Sequence, residues 1–358
     1  MNITFRWYGK DNDSVSLEHI KQIPGVKGIV WALHDKPVGE VWETGEIRTE
    51  VDYIQSYGFH TDVVESVNIH ESIKLGNDQA ASCIENYKQT IRNLSQVGVK
   101  VICYNFMPVF DWTRTEMYHP LEDGSTALFF EKAKVENMDP QKLISMVAES
   151  SEYTLPGWEP EKLNHIAELF KEYKDVDTEQ LWRNLETFLT EILPVAEECN
   201  IKMAIHPDDP PWSIFGLPRI MNKAESYERL LKISDSPSNC LTFCSGSMGA
   251  SPTNDMVKIA EKYADRSPFA HIRNVKIFDN GDFVETSHYT QEGSIDIKNV
   301  VKAFHQQNYT GYVRPDHGRH IFGEVCRPGY GLYDRALGIM YLLGLWDAYE
   351  NEKVGAQL

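Results

Sequence analysis

Eight short β-prone runs alternate along this chain with longer amphipathic stretches, and that alternation limits the folds open to it. The runs are ITFRWY (3–8), GIVWAL (28–33), FHTDVVES (59–66), VKVICYNF (99–106), IKMAIHP (201–207), LTFCSG (241–246), FAHIRNV (269–275) and GYVRPD (311–316). SLEHIKQI (16–23) opens on a serine cap at helical spacing. ENYKQTIRNLSQVG (85–98) sets Tyr87, Ile91 and Leu94 on one face and stops at a glycine. LWRNLETFLTEILPVAEECN (181–200) reads as a long helix interrupted near Pro194, and DRALGIMYLLGLWDAYE (334–350) closes the last unit.

Strands alternating with helices imply a parallel sheet. Eight such units imply an α/β fold closed as a single (β/α)8 TIM-type barrel. An open doubly wound sheet would need a glycine-rich phosphate turn. No GxGxxG follows the first strand, and no GxxxxGK[ST] occurs in the chain. Residues 1–358 are therefore read as one catalytic barrel domain. The stretch 107–180 is too long for an ordinary βα loop, and is read as a helical insertion after the fourth strand that caps the active face.

The formal charge of −18 argues against nucleic acid and anionic membrane as partners, because both need a basic face. An anionic substrate would then need a local positive centre. No stretch approaches the roughly 20 apolar residues that span a bilayer, and the first residues lack the pattern of a secretory leader. The six cysteines are scattered and form no disulfide framework. A reducing cytoplasm is the expected location.

Four successive runs in the second half end in residues that can bind a metal: His206, Cys244, His271 and Asp316. In a parallel barrel the strand ends converge on one face, where catalytic groups sit. Singly, each residue has a plainer reading. A lone histidine is more often a satisfied core residue, a lone cysteine a small buried hydrophobe, and Asp316 a helix cap. Jointly, two imidazoles, a thiolate and a carboxylate suit a divalent transition ion. The sulfur argues against Ca2+ and Mg2+. Four protein ligands with two open positions fit octahedral Mn2+ or Fe2+ better than tetrahedral Zn2+. Asp208 and Asp209, after His206, read as a turn-stabilising pair.

Other candidates surround this set. His317 follows Asp316 and is placed for acid–base work; His320 is a weaker candidate. PGYG displays Tyr330 on the next loop, with Tyr333 as its competitor. Arg6, Trp7 and His34 lie near the ends of the first two strands, the arginine to pair with a carboxylate and the tryptophan to wall a polyol. Arg273 shares a strand end with His271 as an anion binder, and Asn105 is placed to hydrogen-bond hydroxyls.

At these residues the chain resembles the mannonate dehydratases, which belong with the xylose-isomerase-like TIM barrels. The resemblance covers nearly the whole chain and rests on FRWYG, GEVW, VVESV followed by IHE, CYNFMPV with DWTRT, HPDDPP, GLPRI, CSGS, H-x-R, RPDHG and PGY. It implies a hydro-lyase that converts D-mannonate to 2-keto-3-deoxy-D-gluconate in hexuronate (glucuronate) catabolism, with Mn2+ or Fe2+. It implies His206, Cys244, His271 and Asp316 as ligands and His317 with Tyr330 as the acid–base pair. A homodimer is the expected assembly. The chain is shorter than some members between about residues 130 and 170, so contacts of the capping region are not carried over.

The implied chemistry accounts for such a site. Removing the proton α to a carboxylate needs electrostatic stabilisation of the carbanion. A base must take the C2 proton and an acid must protonate the departing C3 hydroxyl. The competing readings are a metal-dependent sugar isomerase of the same barrel superfamily, a sugar-acid-binding protein without turnover, and a zinc hydrolase. Carboxylate-rich two-metal shells are usual in the isomerases, and the thiolate speaks against them.

Overall fold

Parallel pairing closes the main sheet on itself. In chain order the strands are β1 (Asn2–Arg6), β2 (Val26–Trp31), β3 (His60–Glu65), β4 (Val101–Tyr104), β5 (Glu116–Pro120), β6 (Thr126–Phe130), β7 (Lys202–Ile205), β8 (Asn239–Cys244), β9 (Phe269–His271), β10 (Val275–Ile277), β11 (Phe283–Glu285) and β12 (Tyr312–Arg314). In the computed structural model the closed barrel runs β1-β12-β9-β8-β7-β4-β3-β2, as expected from the alternation. The structure describes residues 1–136, 139, 142, 145 and 165–355.

Two apolar layers follow from the period of two along each strand. Val30, Val63, Val101, Cys103, Ala204, Cys240 and Phe269 fill the lumen. Their neighbours Ile29, Val64, Ile102, Met203 and Leu241 point outward, into the larger core beneath the helices. Helix Thr178–Glu198 shows how that core is covered. Asp177 caps it by accepting from Gln180 N at 2.7 Å, and Leu181, Leu185, Phe188, Leu189 and Ile192 are buried. Pro194 does not interrupt this helix, contrary to the sequence reading. It lies in the last two turns, where losing one backbone donor leaves the apolar face intact.

The insertion after β4 departs from the helical expectation. It opens as an antiparallel hairpin, β5 with β6, around the turn at Gly124 (φ 82°). Strands β10 and β11, from the β9–β12 connection, complete a four-stranded sheet of order β10-β11-β6-β5. The alternating EMYHP and TALFF runs about EDGS carry the hairpin signal. Helices Lys132–Glu136 and Ile166–Glu172 belong to the insertion; most of the expected helical region between them lies outside the described residues. Among the described residues no helix is long and apolar enough to cross a membrane.

Candidate active site

Barrel register assembles the site. β8 pairs with β9 so that Cys244 lies beside His271, and β9 pairs with β12 so that His271 lies beside Arg314. His206 directly follows β7, and Asp316 lies two residues beyond β12. Nε2 of His206 faces Nδ1 of His271 at 3.1 Å. One donor atom from each of His206, Cys244 and His271 falls within a 4.8 Å group. Oδ2 of Asp316 lies 3.5 Å from the Cys244 sulfur and 3.7 Å from Nδ1 of His271. Nδ1 of His206 is 2.7 Å from the Pro207 carbonyl. An N–H donated there leaves the Nε2 lone pair facing inward, the usual way a ligating histidine is oriented.

These donors fit a divalent transition ion: two imidazole nitrogens, a sulfur and a carboxylate converge in a buried place. Burial alone would raise the Asp316 carboxyl. The charges of Arg314, His317, His271 and Arg273 outweigh it and hold the group well below its ordinary range, so it is anionic. A second group, Glu65, Cys103 and His271, also has metal-ligand spacing. There, however, Nε of Arg314 already sits 3.0 Å from Oε2 of Glu65 and 3.0 Å from Nε2 of His271. Its cationic guanidinium supplies the positive charge, and Glu65 is driven below the carboxylate range despite burial.

Asp316 takes φ of 58°, a left-handed conformation rare outside glycine that costs about 1–3 kcal/mol. The turn it makes lets consecutive side chains, Asp316 and His317, line one cavity. Nε2 of His317 is 2.9 Å from the Tyr330 hydroxyl, and its Nδ1 is 3.3 Å from Oε1 of Glu285. The Trp112 ring meets His317 edge-on at 5.3 Å. Burial, with Tyr8 close by, pushes the Tyr330 phenol well above its ordinary range, so it stands as a neutral donor. Tyr333, the competitor, is exposed on the following helix against Phe322.

The remaining candidates divide. Arg6 and Asn105 line the same cavity as His206, Asp316, His317 and Tyr330. Arg6 donates to His34 Nε2 at 3.0 Å and to the Trp7 and Val30 carbonyls. His34 is therefore behind Arg6, and burial with two nearby arginines keeps it well below its usual pKa. Trp7 does not wall the cavity: it stacks on Tyr53 at 5.9 Å and donates to the Val15 carbonyl. Arg273 is not placed as an anion binder. Its nitrogens donate to Asp316 at 2.6 Å, to Glu285 at 2.6 Å and to Asp209 at 2.7 Å. Asp208 keeps its turn role, accepting from Met221 N. Asp209 instead pairs with Arg114 as well as Arg273, because the turn aims it inward. His320 holds Gly329 N at 2.8 Å behind the Tyr330 loop, and burial lowers it to about 4.

Sequence reasoning missed Glu65, Arg314, Tyr8, Trp112 and Glu285. Glu65 and Arg314 carry the signal used for the ligands, a polar residue ending a β-prone run. Nη1 of Arg314 is buried with no hydrogen-bond partner among the described residues, and the side chain lines the cavity.

The family model described as D-mannonate dehydratase (UxuA) matches residues 1–355. The chain belongs to the D-mannonate dehydratase family. It is 72% identical over 350 residues to the mannonate dehydratase of Bacillus subtilis, covering 98% of each chain. It is 52% identical to that of Thermotoga petrophila, covering 99% of each. The crystal structure of mannonate dehydratase from Streptococcus suis superposes with a TM-score of 0.90 at 44% identity, over 99% of this chain and 96% of that one. A xylose isomerase domain protein from Planctomyces limnophilus, at 13% identity and a TM-score of 0.56, shares the barrel fold with this family.

Proposed function

We propose that the protein dehydrates D-mannonate to 2-keto-3-deoxy-D-gluconate, a step of hexuronate breakdown. The observation that carries this reading is the hydrogen-bonded His317–Tyr330 pair in one cavity with His206 and Asp316. Family membership supports the same chemistry.

His206, Cys244, His271 and Asp316 would hold Mn2+ or Fe2+. When bound, such an ion supplies positive charge beside the substrate carboxylate and stabilises the carbanion formed at C2. The protein's own groups act around it. The free Nη1 of Arg314 takes a substrate oxygen, and Asn105 and Arg6 bound the polyol chain. His317 Nε2 takes the proton from C2. As the C3–O bond breaks, the neutral Tyr330 phenol protonates the departing hydroxide as water. The enol left behind tautomerises to the 2-keto acid. Glu285 holds Nδ1–H of His317, which keeps Nε2 as the proton-accepting nitrogen.

Trp112, from the insertion, covers His317, and we read the insertion as the cap of one catalytic domain. The cytoplasm and a homodimer are the setting this reading favours. Purified protein reconstituted with Mn2+ or Fe2+ should form a 2-keto acid from D-mannonate and not from aldonic acids of other C2 or C3 configuration. Turnover of an aldose to a ketose with no 2-keto acid formed would replace this reading with the isomerase one.

A further inference from the structure

The string IHE (69–71) ends on a carboxylate that the chemistry above does not use. Glu71 opens the short helix Glu71–Leu75 after β3 and is buried, as is Lys74 one turn further on. Its Oε1 accepts from Lys74 Nζ at 2.9 Å. Both side chains also reach the segment that follows β4. Lys74 Nζ donates to the Met107 carbonyl at 2.8 Å, and Glu71 Oε2 accepts from Val109 N at 3.2 Å. Arg219, buried in the GLPRI string, approaches the same segment. Its Nη2 donates to the carbonyls of Phe110 at 3.1 Å and Asp111 at 3.3 Å. Three buried charged side chains thus hold backbone groups of Met107, Val109, Phe110 and Asp111.

The backbone they hold is strained. Val109 takes φ of 62°, and across it Phe110 N donates to the Pro108 carbonyl at 2.7 Å. That is a γ-turn of the rare hand. A β-branched residue at positive φ is an outlier, and such a conformation persists only where the surroundings over-determine it. What stands on either side of the turn gives it a use. Asn105 precedes it, Asp111 and Trp112 follow it, and all three line the cavity with His206, Asp316, His317 and Tyr330. Asn105 Nδ2 donates to Asp111 Oδ2 at 3.0 Å, which joins the two ends of the segment. Trp112 is the residue that meets His317 edge-on.

We propose that Glu71 is a positioning residue for the dehydration: with Lys74 and Arg219 it clamps residues 107–111 in the strained turn that sets Asn105 and Trp112 at the cavity. Glu71 is not among the residues lining that cavity, so it acts through the loop. A buried ion pair contributes little net stability, because desolvating two charges offsets their attraction. The worth of this pair lies in the conformation it fixes. Glu71 Oε2 also accepts from the Tyr173 hydroxyl at 2.6 Å, so the same carboxylate fastens the far end of the insertion to the barrel. The inference rests on the dehydratase reading, and one arm of its test needs no substrate.

The test compares the parent, reconstituted with Mn2+, with Glu71→Leu/Lys74→Met, which removes both charges together and leaves apolar side chains of similar size. Amide hydrogen exchange over residues 105–114 should become much faster, while the barrel strands keep their protection and bound metal is unchanged. The kcat/KM for D-mannonate should fall on the order of 10²-fold, the scale of a misplacement of about 1 Å. Adding Val109→Gly should recover a large part of that loss, because glycine adopts positive φ without a clamp. A role confined to stability would give no such recovery. Parental exchange over 105–114, parental kcat/KM alongside fast exchange, or no recovery with glycine would each overturn the proposal. A parent that forms no 2-keto acid would reject the dehydratase reading, and the exchange comparison would still decide the clamp. If the double variant fails to fold, Glu71→Ala, which leaves space for water beside Lys74, decides by the same exchange measurement: parental protection there rejects the clamp.

Discussion

Nε2 of His206 and Nδ1 of His271 face each other across 3.1 Å, one after β7 and the other ending β9. Two imidazoles meeting nitrogen to nitrogen beside a thiol and a carboxylate are arranged as donors for one cation. Cys244→Ser should therefore lower the metal bound after reconstitution to well under half of the parent's, as measured by elemental analysis. The barrel should keep its secondary structure. A variant that retained full occupancy and turnover would remove Cys244 from the ligand set.

Arg273 separates a structural role from a substrate-binding one. It is fully buried and bonded to Asp209, Glu285 and Asp316. Removing one partner of such a cluster leaves uncompensated buried charge, typically at a cost of about 3–5 kcal/mol. Arg273→Met should shift the urea unfolding midpoint of the metal-free protein downward by a corresponding amount. An unchanged midpoint with a raised KM would return Arg273 to the substrate.

The same cluster sets an acid limit. Burial would raise the Glu285 carboxyl, but Arg273 and Arg114 lower it to about 2. A carboxyl depressed in the folded state stabilises above its unfolded pKa of about 4.3, and that stability is lost as pH falls from there toward 2. The melting temperature of the metal-free protein should be nearly level between pH 7 and pH 5 and fall steeply below about 4.5. A flat profile down to pH 3 would mean that these carboxylates are not ionised in the folded protein.

Much of this arrangement was legible in the sequence. Each of the eight barrel strands overlaps its β-prone run, with β1, β2 and β8 beginning one or two residues earlier, and the four ligand-type residues at the strand ends come together at one mouth of the barrel. Trp7 and Arg273 show where such reading stops. Position along a strand says that a side chain is near the mouth, but not whether it points into the cavity or into the wall. Trp7 alternates outward onto Tyr53, and Arg273 turns back into carboxylates brought from β11 and the turn after His206. Glu285 had no local signal, because β11 is three residues long and pairs with the distant β6. The hairpin of the insertion, β5 with β6, was not read from the sequence, although its alternating EMYHP and TALFF runs carry the signal.

The two loop tyrosines offer a sharp contrast. Tyr330 is buried against His317, whereas Tyr333 is nearly half exposed. Tyr330→Phe should lower kcat by about 10²- to 10⁴-fold, the usual contribution of a positioned acid–base group. Tyr333→Phe should leave kcat within about twofold of the parent, since exposed substitutions seldom exceed ~0.5 kcal/mol. Steady-state kinetics with D-mannonate checks both, and the reverse ranking would move the acid along the loop.

The most direct test of the central claim is His317→Asn, assayed with bound metal quantified in the same sample and with C2 proton exchange followed in deuterated water. Asparagine preserves size and polarity but cannot take the proton. The account predicts full metal occupancy, little change in substrate binding, no C2 exchange, and 2-keto acid formation reduced by at least ~10²-fold. A His317→Asn enzyme that binds its metal and still forms the 2-keto acid at near the parent rate would contradict it.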